Sequence, residues 1–203
     1  MNYYEIDGVQ YPRVTHILSV LNREGLNIWR EKVGTAYREE VVQKAQDIGT
    51  ETHKFIQRII NGGKIESGEW SMLAPEIQSA LQAWVGFTKR LKPQFKHTEL
   101  LLHSKKYGYA GTTDAVALID GRLTICDWKT ANNLWDEVDL QMAAYAMAYY
   151  EQYGEKPVSC RAIRLDKSQG YWSHKDQVIL TNIDDAFEAF LGAIKIYNYR
   201  RNR

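Results

Sequence analysis

Residues 111–130 hold two apolar runs joined by Asp120-Gly121. That dipeptide suits a two-residue hairpin turn, because both central residues must take positive φ. Pairing then follows by counting outward: Ile119 faces Arg122, Leu118 faces Leu123, and four steps further on Asp114 faces Asp127. Opposed residues of an antiparallel pair have Cβ atoms about 4.5–5.5 Å apart on one face. Val116, Leu118, Leu123 and Ile125 share that face, and so does Lys129. Two carboxylates forced together beside apolar neighbours repel, so one takes up a proton unless a cation lies between them. A divalent metal meets that requirement. The alternative is a surface hairpin with Asp114 at a strand end and Asp127–Lys129 as a solvated ion pair.

The same patterning divides the rest of the chain. Residues 3–12 predict a hairpin turned by Asp7-Gly8, and Thr15 an N-cap ahead of the apolar run His16 to Leu21. Residues 27–46 carry Ile28, Trp29, Val33, Tyr37, Val41, Val42 and Ala45 at helical spacing, and residues 49–61 predict a short amphipathic helix. In the latter His53 shares the stripe of Ile56, Gln57 and Ile60, so it points inward, either as a satisfied core histidine or as a ligand. Gly62-Gly63 through Gly68 reads as a loop, and residues 74–92 as a helix halted by Pro93.

Residues 95–103 predict a strand with Glu99 at its start, either a further ligand, a contact to metal-bound water or a solvent-facing side chain. Residues 134–152 predict a long helix with Gln141, Tyr145, Val138 and Tyr149 on one face. Its alanines at 143, 144, 146 and 148 allow close approach to a sheet, which would equally suit a plain packing helix. Residues 157–165 predict a strand, turned back by Asp166 to Gly170 towards Tyr171 to His174, with Val178 to Leu180 either extending the sheet or forming an edge. Asp184 and Asp185 open a final helix from Ala186 to Tyr199.

At 203 residues, 44% apolar and 25% charged, the chain suits one soluble domain with a sizeable core. A formal charge of +1 neither demands nor excludes nucleic acid, since a basic groove can sit inside a neutral total. Cys126 and Cys160 are too few for a four-cysteine zinc site or an iron–sulfur cluster, and a reducing, cytoplasmic setting is expected. No basic and apolar leader pattern opens the sequence, and no run reaches the roughly 18 apolar residues of a membrane span.

Gly49-Thr50-Glu51-Thr52-His53, Gly111-Thr112-Thr113-Asp114, Asp127-Trp128-Lys129, and Gln141 with Tyr145 four later resemble, in order, the motifs of RecB-like nucleases of the PD-(D/E)xK superfamily. The segment from Tyr11-Pro12-Arg13-Val14-Thr15 to Trp29 resembles the opening region of phage and bacterial members. Thr113 stands where the family usually has Pro. The resemblance implies an α/β restriction-endonuclease-like fold: a central mixed sheet flanked by helices, with a mainly helical region over residues 1–93 and a nuclease core over 94–203. It implies that His53, Asp114, Asp127 and the main-chain carbonyl of Trp128 bind Mg²⁺ or Mn²⁺, that Lys129 is the catalytic lysine, and that Gln141 and Tyr145 lie beside site and strand. No iron–sulfur cluster is expected.

Such residue types suit phosphodiester hydrolysis, which needs a nucleophilic water and stabilisation of charge on phosphate. The expected activity is that of a metal-dependent DNA nuclease, an exonuclease on single-stranded ends in preference to an endonuclease. DNA, single-stranded or as duplex ends, is the expected partner, with no membrane, and no pattern names a protein partner. A nuclease-fold accessory that binds nucleic acid without cutting is the alternative. Its mark would be loss of Asp127 or Lys129, and both are present.

Overall fold

The computed structural model describes residues 2–21, 35–135 and 137–203. Its centre is a five-stranded mixed sheet in the order β3 (Gln94–Ser104), β4 (Tyr109–Ile119), β5 (Arg122–Lys129), β6 (Ser159–Arg164) and β7 (Gln177–Leu180). Neighbours are antiparallel except β5 and β6, which run parallel because the helix α5 (Glu137–Tyr153) carries the chain back between them. A separate hairpin, β1 (Tyr3–Ile6) and β2 (Val9–Pro12), packs with α1 (Val14–Leu18) near β4.

Both sheet faces are covered, which explains why β4 and β5 are buried almost throughout. On one face Val116, Leu123 and Ile125 pack with α5, α1 and the C-terminal helix α6 (Ile183–Arg201). On the other, Ala115, Ala117, Ile119, Cys126 and Trp128 pack with α2 (Thr35–Ile60) and α4 (Pro75–Leu91). Phe87 of α4 sits edge-on to Trp128 with ring centroids 5.6 Å apart. Among the described residues, no helix is long and apolar enough to cross a membrane.

The Asp-Gly turns form as expected: Asp7, Gly8, Asp120 and Gly121 all have positive φ. The β4–β5 register is also the counted one, from Ile119↔Arg122 to Ala115↔Cys126. The surface-hairpin alternative fails because Asp114 and Asp127 are buried within a two-sided sheet.

Several local expectations need correction. Arg13, not Thr15, is the N-cap of α1, its carbonyl accepting the amides of His16 and Ile17 at 2.9 Å, and the helix ends at Leu18. The helix of residues 49–61 is the second half of the 26-residue α2, since no proline interrupts the pattern after Thr35. Ile28, Trp29, Val33 and the side chain of Tyr37 lie outside the described residues. Gly68 belongs to the short helix α3 (Ser67–Met72) and not to a loop. After the turn at Asp166, the chain over Tyr171 to His174 folds around the Asp176 carboxylate, which accepts the Ser173 amide and hydroxyl. Glu99 lies mid-strand with φ +49°, not at a strand start.

Candidate active site

Sheet register does most of the positioning. Asp114 and Asp127 lie one step beyond the last assigned β4–β5 pair, at the end of β5 where the ladder opens. Their backbones are locked by a side-chain bond: the Trp128 amide donates to Asp114 Oδ2 at 2.5 Å. N–H and C=O of one residue leave a strand on the same edge, so the Trp128 carbonyl also points towards β4. Its indole does not join the site, being buried in the opposite core against Trp84, Phe87 and Phe95.

His53 reaches the pair from α2. Its Nδ1 lies 3.0 Å from Asp114 Oδ1. Nitrogen or oxygen donors of His53, Glu99 and Asp114 lie within 4.8 Å of one another, a spacing that one ion can bridge. Positive φ at Glu99 is costly for a side chain other than Gly or Asn, and such backbone strain is typical of functional positions.

Lys129 reaches in from the end of β5. Its Nζ lies 2.6 Å from Asp127 Oδ2 and donates to Gln141 Oε1 at 3.1 Å. Gln141 Nε2 in turn donates to the Tyr145 hydroxyl at 2.8 Å. Gln141 and Tyr145 come from successive turns of α5, so the expected helical spacing brings both to one spot. The Lys129–Asp127 contact is a close ion pair at a buried carboxylate.

Charge crowding is evident in the ionisation of the group. Burial raises the Asp127 carboxyl above the usual range and Asp114 adds to the rise, outweighing the attraction of Lys129. Burial and Asp114 raise Glu99 likewise. Burial opposes charge on His53, but Asp114, Asp127 and Glu99 prevail and lift it to about 9. Tyr145 is held neutral by burial and by Asp127. Oxygen donors with one imidazole, crowded until two carboxyls resist ionisation, are a donor set that a divalent cation would fit.

A cleft of about 570 Å³ opens onto these groups, lined by Gly49, His53, Gln57, Glu99, Lys129 and Thr130. Two glycines make the site compact. A Cβ on Gly49 would lie 3.2 Å from Thr130 Oγ1, so α2 approaches the end of β5 one turn before His53. A Cβ on Gly111 would lie 2.4 Å from Tyr145 Cε1. Neither role was drawn from the sequence, although a glycine inside a helix or strand pattern signals close approach.

A family model described as the PD-(D/E)XK nuclease superfamily matches residues 23–195, most of the chain. The chain belongs to the PD-(D/E)XK nuclease superfamily. A search of curated proteins found no match. Membership supports a metal-dependent nuclease with a nucleic-acid substrate, on the α/β fold described above. Of the expected residues, His53 contacts Asp114, while Asp127, Lys129, Gln141 and Tyr145 form a second connected group, and the Trp128 amide, next to Asp127 in the chain, bonds to Asp114.

Proposed function

We propose that the chain is a divalent-metal-dependent deoxyribonuclease of the RecB-like type. In this reading it is an exonuclease that hydrolyses phosphodiester bonds at single-stranded DNA ends in recombination, repair or phage DNA processing. The observation that carries the reading is the approach of the His53, Glu99 and Asp114 donors to within 4.8 Å of one another, at the end of the sheet where Lys129 Nζ lies 2.6 Å from Asp127. The preference for single-stranded ends rests on the likeness of Gly49 to His53 to exonucleases with that motif. Two free, buried cysteines support a reducing, cytoplasmic setting.

The proposed ligands of Mg²⁺ or Mn²⁺ are His53, Asp114, Asp127 and the Trp128 carbonyl, with Glu99 as a further oxygen donor supported by its approach to His53 and Asp114. When bound, the ion would polarise the phosphate and acidify a water. The oxygens suit hard Mg²⁺, and the imidazole adds tolerance of Mn²⁺.

In the reaction a water oxygen bonds to phosphorus, the bond from phosphorus to the leaving sugar oxygen breaks, and that oxygen gains a proton. Lys129 would orient the water and offset the negative charge that builds on the phosphate. Gln141 holds the ammonium in place, and the Tyr145 hydroxyl fixes the Gln141 amide.

The test incubates single- and double-stranded DNA, labelled at either end, with Mg²⁺ or Mn²⁺, beside Asp127→Ala and a chelator control. Release of mononucleotides from single-stranded ends, lost with chelator and in the variant, is expected. DNA binding without metal-dependent cutting would overturn the reading, and internal cuts would replace exonuclease with endonuclease.

A further inference from the structure

We propose that Arg13 is a phosphate-binding residue that holds the nucleic-acid strand beside the Asp114 carboxylate; this rests on the nuclease reading. The position is anchored by backbone alone. Its amide donates to the Asn2 carbonyl at 3.0 Å, its carbonyl accepts the first amides of α1, and it forms a parallel bridge with Ala110 at the start of β4. The N-terminal hairpin and β4 therefore fix where its side chain begins.

That side chain lies against Tyr4, with the guanidinium carbon 4.5 Å from the ring centroid. The Tyr4 hydroxyl is 3.0 Å from Thr112 Oγ1. Thr112 precedes Asp114 by two residues, on the same strand face and about 7 Å along β4. A cation is thus carried to the edge of the carboxylate cluster by a hairpin distant from it in sequence.

One of its donors finds no partner among the described residues. Among the described residues no carboxylate pairs with Arg13, and its Nε is buried without a hydrogen-bond partner. A buried donor left unsatisfied costs about 1–3 kcal/mol, so such a group calls for a partner. A guanidinium presents its donors as a flat fork that matches two phosphate oxygens, and stacking on a ring holds the plane of that fork. The anion brought to this site by the nuclease reaction is a phosphodiester. Arg13 would take a phosphate beside the scissile one while Lys129 attends to the reacting group.

The test compares wild type, Arg13→Gln and Arg13→Lys in steady-state cleavage of a single-stranded oligonucleotide with Mn²⁺, between 50 and 200 mM salt on the order of physiological strength. Arg13→Gln should raise KM about tenfold, the loss of one charge-assisted bond, with kcat nearly unchanged. The slope of log KM against log salt should fall by about 0.7, one fewer phosphate contact on a single strand. Arg13→Lys should keep the wild-type slope and recover part of the KM. A folded Arg13→Gln protein with wild-type KM and slope overturns the assignment and leaves the nuclease reading intact.

Should Arg13→Gln not fold, phenylglyoxal labelling of the wild-type chain decides: protection of Arg13 by the oligonucleotide supports the assignment, and equal labelling overturns it. A wild-type chain that cuts no nucleic acid overturns both readings, and that result is visible before any variant is compared.

Discussion

Gly111 and Tyr145 touch with no room for a side chain between them, since a Cβ on Gly111 would fall 2.4 Å from Tyr145 Cε1. That contact seats the Tyr145 hydroxyl 2.8 Å from Gln141 Nε2, and Gln141 holds Lys129 Nζ at 3.1 Å. Gly111→Ala must therefore displace the ring or the strand, at a cost of roughly 1–3 kcal/mol for overpacking. Because displacement loosens Lys129, kcat should fall at least tenfold while KM changes little. Chemical denaturation and steady-state kinetics measure the two effects, and undiminished turnover would separate Tyr145 from the chemistry.

Lys129 is the residue on which the proposed chemistry leans most. Lys129→Ala should reduce turnover by two to three orders of magnitude, the usual loss when a group that stabilises transition-state charge is removed. The substitution also strips Asp127 of the cation 2.6 Å away, so the carboxyl should take up a proton more readily in the metal-free protein. Single-turnover cleavage at saturating Mn²⁺ is the relevant measurement. Rates within a few-fold of wild type would reject the role.

Metal should stabilise the fold. At 100 times its Kd, Mg²⁺ or Mn²⁺ bound only to the native state adds about 2.7 kcal/mol. For a chain of this size that corresponds to a rise in Tm of roughly 5–10 °C. Chelator should remove the rise, and Asp114→Asn should abolish it, because Asp114 is one of the three donors of the cluster with His53 and Glu99. Melting curves with and without metal check this, and an equal rise in Asp114→Asn would exclude Asp114 as a ligand.

Away from the site, Asp166 controls the turn that follows β6. Burial disfavours its charge, but the amides of Gln169 and Ser168, the Ser168 hydroxyl and Arg164 prevail, lowering its pKa from 3.8 to about 2. A depressed carboxylate stabilises the fold above its unfolded pKa and loses that contribution as pH falls through the folded one. Wild type should therefore lose about 2 kcal/mol relative to Asp166→Asn between pH 5 and pH 2. Urea midpoints of the two proteins across that range test it, and parallel curves would discard the capping role.

Local chemistry was enough for a good part of this molecule. Asp120-Gly121 dictates a tight turn, and pairing steps outward from a turn one residue at a time. The register as far as Ala115↔Cys126, one step short of Asp114 and Asp127, was therefore countable before any coordinates. The i, i+4 spacing of Gln141 and Tyr145 likewise needs only helical geometry, and the ordered motifs were sufficient to identify the superfamily.

Contacts between segments far apart in the chain are another matter, because periodicity says which way a side chain faces and not what it meets. His53 was legible as an inward residue, but only the packing of α2 against the end of β5 brings it to Asp114. Glu99 turns to the cluster through a positive φ that no residue type at that position announces. The stacking of Arg13 on Tyr4 and the reach of Tyr4 to Thr112 depend on where a separate hairpin docks, which is decided by the shape of the assembled core.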